Sequence, residues 1–343
     1  MQRPQRIIVL YNIDYDAAAG AADAVSVQAS AQAIAQALGA GGVDAQLIGL
    51  GGHEVLTVLD RVRAANPDLV FNLCESLAGD ARHEPTLVGL LDLFGIPYTG
   101  SDLLGLASCL YKQRTKDILN ARGVPTPPHR VLADLAALDD PGLDGLDYPW
   151  FVKLAHEDAS IGITEANRVT SAAELRDRAR ALMVEYQQPV LAERYVDGRE
   201  INVTLIGNAG ELQVLPLHEI DFAAMPADRP KIVSYAAKWD EAHVDYAGTK
   251  PVPLHGASAD FIAGVERVAR AAWTALGLRD YGRIDLRVDA DGTPWVIDIN
   301  PNPDISPDAG VARAAKLAGM SYPQLIARLA GIAYQRIQRG FAR

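Results

Sequence analysis

The sequence predicts an α/β fold, with a small parallel sheet at the N-terminal end and a hairpin-rich α+β part behind it. Strand-like and helix-like stretches alternate over roughly the first hundred residues, the rhythm of a parallel sheet with helices on its faces. Further on, apolar runs come in pairs around Asp197-Gly198 and Asp291-Gly292, dipeptides suited to antiparallel turns. At 343 residues the chain exceeds one ordinary hydrophobic core, so two or three domains are expected.

Taken in order, RIIVLYNI (Arg6–Ile13) is a buried strand by its length and β-branching. Val25–Leu38 carries apolar residues at helical spacing and stops in GAGG. DAQLIGL and DLVFNL are the next strands, the second entered from Asn66-Pro67. Thr86–Phe94 is a helix opened by Glu84-Pro85, with proline where a first turn tolerates it. Gly123 and the prolines of ARGVPTPPHRVL (Ala121–Leu132) mark a connection. YPWFVKL is a strand that runs into a small polar loop, LAHEDASIGIT, and ITEANRV is the strand after it. Ser171 and Glu174 predict a capping box for a helix reaching about Gln187. VLAERYVDGREINVTLIG reads as a strand pair turning at Asp197-Gly198. From Glu219 to about Pro253 periodicity is lost, and a loop of that length is usually functional or disordered. Helices over Ala259–Leu276 and Tyr322–Arg339 bracket the last hairpin.

Composition excludes several classes. Hydrophobic content of 49% and charged content of 22% are those of a globular protein. A net charge of -11 argues against nucleic acid, which is met by basic patches, but leaves room for a phosphate ligand held by a few local cations. The first apolar run, IIVL, is too short for a signal-peptide core, and no run approaches a membrane span. With Cys74 and Cys109 its only cysteines, the chain reads as a reduced, cytoplasmic protein. No G-x-G-x-x-G follows the first strand and no G-x-x-x-x-G-K-[ST] occurs anywhere, so any nucleotide is held by another device.

The sharpest chemistry lies in RIDLRVDADGTPWVIDIN, residues 283–300. A two-residue type I′ turn at Asp291-Gly292 pairs Asp285 with Asp298 and Arg283 with Asn300, all on one face. Like charges directly opposite each other are destabilising. Either the hairpin is exposed, its acids solvated or neutralised by Arg283 and Arg287, or a divalent cation sits between them. Mg²⁺ takes carboxylate and amide oxygens and often shares them with nucleotide phosphates. Arg283 would suit an anion beside the metal.

Five stretches in order resemble the D-alanine:D-alanine ligase family of ATP-grasp enzymes, over most of the chain. GIPYTGSDLLGLASCLYKQRTK leads to a first nucleotide lysine at Lys112, and FVKLAHEDASIGI to a second at Lys153 with a phosphate-covering loop over Glu157–Gly162. LAERYVDGREINV is similar to the adenine-clasping hinge and ribose carboxylate, at Glu193, Tyr195, Val196 and Glu200. SYAAKW (Ser234–Trp239) is similar to a second mobile loop with a phosphate lysine at Lys238, and GRID…VIDIN to the metal hairpin, with Asp298 where glutamate is usual. The resemblance implies an α+β ATP-grasp architecture: a Rossmann-like N-terminal domain (1–108), then a central subdomain (109–190) and a C-terminal subdomain (191–343) that clasp ATP.

It also implies the reaction. A donor carboxylate attacks the γ-phosphate of ATP, and an amine displaces phosphate from the acyl phosphate. Mg²⁺ or Mn²⁺ would sit on Asp285, Asp298 and Asn300. Lys238 and Arg283 would stabilise charge, and the backbone around Ser160 and Gly162 would close over the phosphate. The family further implies small-molecule carboxylate and amine substrates and a homodimer. Departures from the family fall on substrate recognition. The glutamate expected after the first strand has no match in YNIDYDAAAG, Ala159 replaces a serine, and Trp239 replaces a tyrosine. Glu75 stands in the segment that usually carries a histidine, and Tyr235 and Asp304 are further substrate candidates. In PNPDISPDAG, Asp304 and Asp308 with Ala309 would favour an acceptor that is basic, a diamine or blocked at its carboxylate, unless they only cap the next helix (Ala309–Leu317). Three classes stay open: a carboxylate–amine ligase with other substrates, an authentic D-alanine:D-alanine ligase, and a kinase or ATP-binding non-ligase.

Overall fold

A computed structural model describes residues 3–13, 21–157, 160–208 and 210–340. The N-terminal unit consists of β1 (Arg6–Asn12), α1 (Ala21–Ala40), β2 (Asp44–Leu50), α2 (Val55–Ala65), β3 (Leu69–Asn72) and α3 (Glu84–Leu93). Its 3-stranded sheet is parallel, in the order β2-β1-β3. Alternation along β1 divides the core. Ile7 and Val9 pack with Ile34 of α1, whereas Ile8 and Leu10 pack with Leu59 of α2 and Leu87 of α3.

Helices α4 (Leu103–Leu110) and α5 (Lys112–Ala121) lead to β4 (His129–Leu132), β5 (Trp150–Leu154), β6 (Arg168–Val169), α6 (Ala172–Tyr186) and β7 (Val190–Arg194). These strands form a 4-stranded antiparallel sheet, β4-β7-β5-β6, covered by Leu175, Ala179 and Leu182 of α6. Ser171 caps α6 as expected, while the Glu174 carboxylate returns to the backbone of Thr170 instead of Ser171. ITEANRV is strand only over its last two residues, because Thr164 and Asn167 close a capping box around a single 3₁₀ turn.

The remainder comprises β8 (Arg199–Gly207), β9 (Gln213–Val214), β10 (His218–Asp221), α7 (Tyr235–Trp239), α8 (Val244–Gly248), β11 (Lys250–Pro253), α9 (Ala259–Leu276), β12 (Asp280–Val288), β13 (Pro294–Asn300), α10 (Gly310–Leu317) and α11 (Tyr322–Gln338). A 6-stranded sheet runs β11-β10-β8-β12-β13, with β9 also on β8. Helix α9 covers one face, where Val265, Ala269 and Trp273 meet Ile201, Val203, Ile284 and Leu286. Helix α11 returns to the N-terminal unit beside α1, and its Arg336 donates to both oxygens of the fully buried Asp280.

Two expectations are corrected. VLAERYVDGREINVTLIG is not a hairpin, since β7 pairs with β4 and β5 while β8 pairs with β10 and β12. Asp197-Gly198 is instead the crossing from one sheet to the other, and Gly198 is required there because a Cβ would lie 1.9 Å from the Val288 carbonyl oxygen. The stretch from Glu219 to Pro253 is not all loop. Ser234 caps α7 and bonds Asp245, and Arg229 pairs with Asp245, so polar links supply the order that apolar periodicity does not.

Candidate active site

One face of β8 and β12 is core, and the other looks into the cleft between the two antiparallel sheets. Ile284, Leu286 and Val288 are buried against α9, which leaves Arg283, Asp285 and Arg287 on the opposite face. The same alternation on β8 puts Glu200, Asn202 and Thr204 beside them, with Glu200 paired to Arg287 and Asn202 to Asp285. The predicted pairings Asp285–Asp298 and Arg283–Asn300 are both present, but not through a two-residue turn. Asp289 accepts from the amides of Asp291 and Thr293, and only Gly292 takes a positive φ, 81°. Nearer the turn the register is one residue shorter, and a bulge between Asp285 and Leu286 restores it. That bulge has a function in the fold. It lets Val296 stay in the core while Asp298 and Asn300 emerge on the cleft side, which strict alternation from Val296 would forbid.

The two aspartates stand opposite each other in register, but each is met by its own cation. Arg283 donates to both oxygens of Asp285 at 2.8 and 2.9 Å, and Asn202 and Asn300 donate to it as well. Asp298 has Lys112 at 4.0 Å. Burial alone would raise the Asp298 carboxyl, but Lys112, Lys153, Arg283 and Lys238 together hold it below the usual carboxylate range. The donor set of two carboxylates and an amide oxygen suits a hard divalent cation, and Asn300 turns its NH₂ to Asp285, leaving its oxygen available. Among the described residues no group of three His, Cys, Asp or Glu is gathered for a metal, so a cation here would depend on that amide and on ligand oxygens.

Beside this pair lies a buried charge cluster that the sequence only half disclosed. Lys153 of β5 donates to Glu193 of β7 at 2.8 Å and to the Ile297 carbonyl, exposed at the bulge, at 2.9 Å. Lys116 lies 2.5 Å from the other Glu193 oxygen and donates to Thr126. Thr126 in turn donates to the Val296 carbonyl, joining α5, both sheets and the hairpin. The two lysines hold the Glu193 carboxyl below its ordinary range against the effect of burial. Glu193 is therefore spent on lysines and is not open to a base. Lys116 was legible in KQRTK, four residues after Lys112 and on the same helical face.

The two lid candidates meet over the cleft. Ser160, at φ 62°, donates through its hydroxyl to Val233, and the Tyr235 amide donates to Ile163. Lys112 donates to the Glu157 carbonyl at 2.6 Å, whereas the Glu157 carboxylate accepts from Gln188. Gly162, at φ 70°, is boxed in by Leu154, Leu182 and Tyr186. Lys238 and Tyr235 are exposed on α7. Ala159 lies outside the described residues, as does the stretch 14–20 after β1. At the hinge the Tyr195 amide donates to the Pro149 carbonyl and the Val196 carbonyl faces Arg287, so among the described residues the Val196 amide and the Tyr195 carbonyl are the groups of the expected backbone edge without a backbone partner.

The substrate candidates are more scattered. Glu75 is exposed, its amide on Asn12, and the Cys74 carbonyl beside it accepts from Asn302, which also donates to Glu84. Asp304 accepts from the amide and hydroxyl of Ser306. The side chain of Asp308 caps nothing, because the N-cap of α10 is Ala309. Arg313 curls back to the Asp308 carbonyl and over Gly310, so this segment carries a cation as well as the acidic pair. Both cysteines are buried, and among the described residues no helix is long and apolar enough to cross a membrane.

Two antiparallel sheets closing on a lysine- and carboxylate-lined cleft, behind a small parallel sheet, define an ATP-grasp fold. The comparisons agree with that architecture. A crystal structure of D-alanine–D-alanine ligase from Bacillus anthracis complexed with ATP superposes with a TM-score of 0.77 at 23% identity, over 98% of this chain and 99% of that one. The family profile "D-ala D-ala ligase C-terminus" matches residues 118–331. D-alanine–D-alanine ligase of Bordetella petrii is 32% identical over 300 residues, covering 86% of this chain and 84% of that protein. An uncharacterised protein of Sinorhizobium fredii is 33% identical over 293 residues, covering 83% and 82%. The chain belongs to the D-alanine–D-alanine ligase family, ATP-dependent and ADP-forming ligases that make C–N bonds.

Proposed function

We propose that the chain is an ATP- and Mg²⁺-dependent ligase that joins a small carboxylate to a small amine through an acyl phosphate, with substrates other than two D-alanines. One observation carries the reading: Lys112, Lys153, Arg283, Asp285, Asp298 and Asn300, from four elements (α5, β5, β12 and β13), converge on one cleft. Lys112, Lys153 and Lys238 would offset charge on the transferring phosphoryl group. A divalent cation, when bound, would be held by Asp285, Asp298 and Asn300, and it adds positive charge at the phosphate oxygens. Arg283, once released from Asp285, would face the oxyanion of the tetrahedral intermediate. Ser160 and Gly162 would close over the γ-phosphate and keep water from the acyl phosphate. Val196 would take the adenine edge and Glu200 the ribose, while Glu193 acts by fixing Lys153.

Different substrates are supported by Ala309, Trp239 and Glu75 at positions where the family has other side chains. Glu75, Tyr235 and Asp304 would then contact donor or acceptor. The second reading, ligation of two D-alanines, is favoured by the names of relatives such as the Bordetella petrii protein. We further propose a cytoplasmic enzyme that works as a homodimer. ADP release measured across a panel of amino acids, their amides and diamines, with D-alanine included, separates the readings. Turnover with D-alanine alone would establish the second.

A further inference from the structure

The cleft-facing arginine nearest the hinge pairs with its carboxylate in a way that Arg199, Arg283 and Arg336 do not. Arg283 uses Nε and Nη2 on two different oxygens of Asp285, and Arg199 does the same with Glu219. Arg336 likewise reaches both oxygens of Asp280. Arg287 instead sends both donors to a single oxygen, Glu200 Oε2, at 2.9 and 2.7 Å. Among the described residues Glu200 Oε1 accepts no hydrogen bond, and it is not one of the buried polar atoms without a partner, so it keeps accessible surface.

The arginine itself cannot move freely. Its residue is 4% exposed, and its guanidinium lies 5.5 Å from the ring centre of Tyr195 and 5.4 Å from that of Phe222. Nη1 is 3.4 Å from both the Tyr195 hydroxyl and the Val196 carbonyl, and Nη2 also donates to the Lys231 carbonyl. The Tyr195 hydroxyl donates to that same Lys231 carbonyl at 3.0 Å. One guanidinium thus joins the hinge, Glu200 and the root of the second lid. An ionised carboxylate oxygen only accepts, so whatever meets Oε1 must bring an O–H or N–H. Glu200 is also one strand repeat from Asn202, about 6.6 Å along β8, and Asn202 touches Asp285. A donor held at Oε1 therefore sits about a sugar's length from the candidate metal carboxylates.

We propose that Arg287 is a positioning residue for the nucleotide. It pins Glu200 by one oxygen so that the other accepts from the ribose hydroxyls, and it ties that grip to the second lid through Lys231. The inference deepens the nucleotide reading above and rests on it.

Binding and turnover of ATP against 2′,3′-dideoxy-ATP test it, in the parent and in Arg287→Met, Arg287→Lys and the double variant Arg287→Met/Glu200→Gln. A hydrogen bond to a charged oxygen predicts that the parent favours ATP by roughly tenfold or more. Arg287→Met should raise KM and Kd for ATP by about that factor, leaving kcat and the affinity for the dideoxy nucleotide nearly unchanged. Arg287→Lys keeps the charge without two converging donors and should fall between. The double variant, which leaves no unpaired buried charge, keeps the comparison available if Arg287→Met does not fold, and it should show no preference for either nucleotide. Equal losses for both nucleotides, or a parent without preference, would overturn the proposal. A parent that binds ATP with the expected preference but releases no ADP with any substrate would instead overturn the ligase reading.

Discussion

The cluster of Lys116, Glu193 and Lys153 gives the most quantitative test of the structure. It places two ammonium groups and one carboxylate where side-chain exposure is 4%, 5% and 8% for Lys116, Glu193 and Lys153. Glu193→Gln would leave two buried cations facing a neutral amide, and removing one partner from a buried ion pair costs about 3 to 5 kcal/mol. That amounts to on the order of 10 °C in melting temperature for a domain of ordinary size. Lys116→Met, by contrast, leaves the balanced pair of Lys153 with Glu193 and removes an ammonium that burial already disfavours. It should cost clearly less, although Thr126 loses a partner. Thermal unfolding of the parent and both variants gives the ranking. The pH dependence gives the sign. The Glu193 carboxyl is lowered in the folded protein, so its contribution is complete above the unfolded value of about 4.3 and is lost as pH falls through the folded one. The gap between parent and Glu193→Gln should therefore close only below roughly pH 4. If Lys116→Met proved the costlier change, or the gap did not depend on acid, the cluster would not be charged as described.

Other perturbations follow from the same contacts. Asp298→Asn should abolish metal-dependent ADP release yet leave the fold intact, whereas Asp285→Asn should also lower the melting temperature, because it gives up a two-point pair with Arg283. Circular dichroism with a coupled ADP assay reads both, and parental turnover in Asp298→Asn would remove it from the metal site. Hydrogen exchange across 157–162 and 229–249 should slow when a non-hydrolysable ATP analogue binds, and Ser160→Ala should weaken that protection by removing the bond to Val233. Equal exchange with and without the analogue would show that these segments are not a lid. Gly198→Ala should disrupt the crossing from β7 in one sheet to β8 in the other, seen as loss of soluble protein or of ATP binding, since its Cβ would meet the Val288 carbonyl.

Much of the fold was readable because alternation and caps are local. Ile7 to Leu10 on β1, Ser171 at the start of α6 and Pro85 in α3 each announce their element within a few residues. What was not readable depends on which sheet a strand joins. Val190–Arg194 and Arg199–Gly207 look like partners in sequence, yet a single glycine carries the chain between sheets. The metal hairpin shows a subtler case. Its key pairs follow from a two-residue turn that the protein does not make, because a longer turn and a one-residue bulge cancel in register. In the site, residues carrying a motif were legible, including both aspartates, Lys112 and Lys153. Lys116 and Asn202 were overlooked, and Arg287 was read only as a neutralising charge on the hairpin, although each lies one repeat from a residue singled out, on the same helix or strand face. Arg313 is a different case: it lies over Gly310 simply as its i+3 neighbour on α10, but that this turn comes against Arg283 depends on how α10 docks.

The most direct test of the account is the fate of the γ-phosphate. The purified chain, incubated with ATP, Mg²⁺ and a panel of carboxylate and amine pairs, should release ADP and phosphate in equal amounts only when donor and acceptor are both present. Mass spectrometry should then find the two joined with loss of one water. Hydroxamate formed from hydroxylamine and the donor would report the acyl phosphate. ADP release accompanied by a stable phosphorylated product, and no condensed one, would contradict the ligase reading and make the protein a kinase.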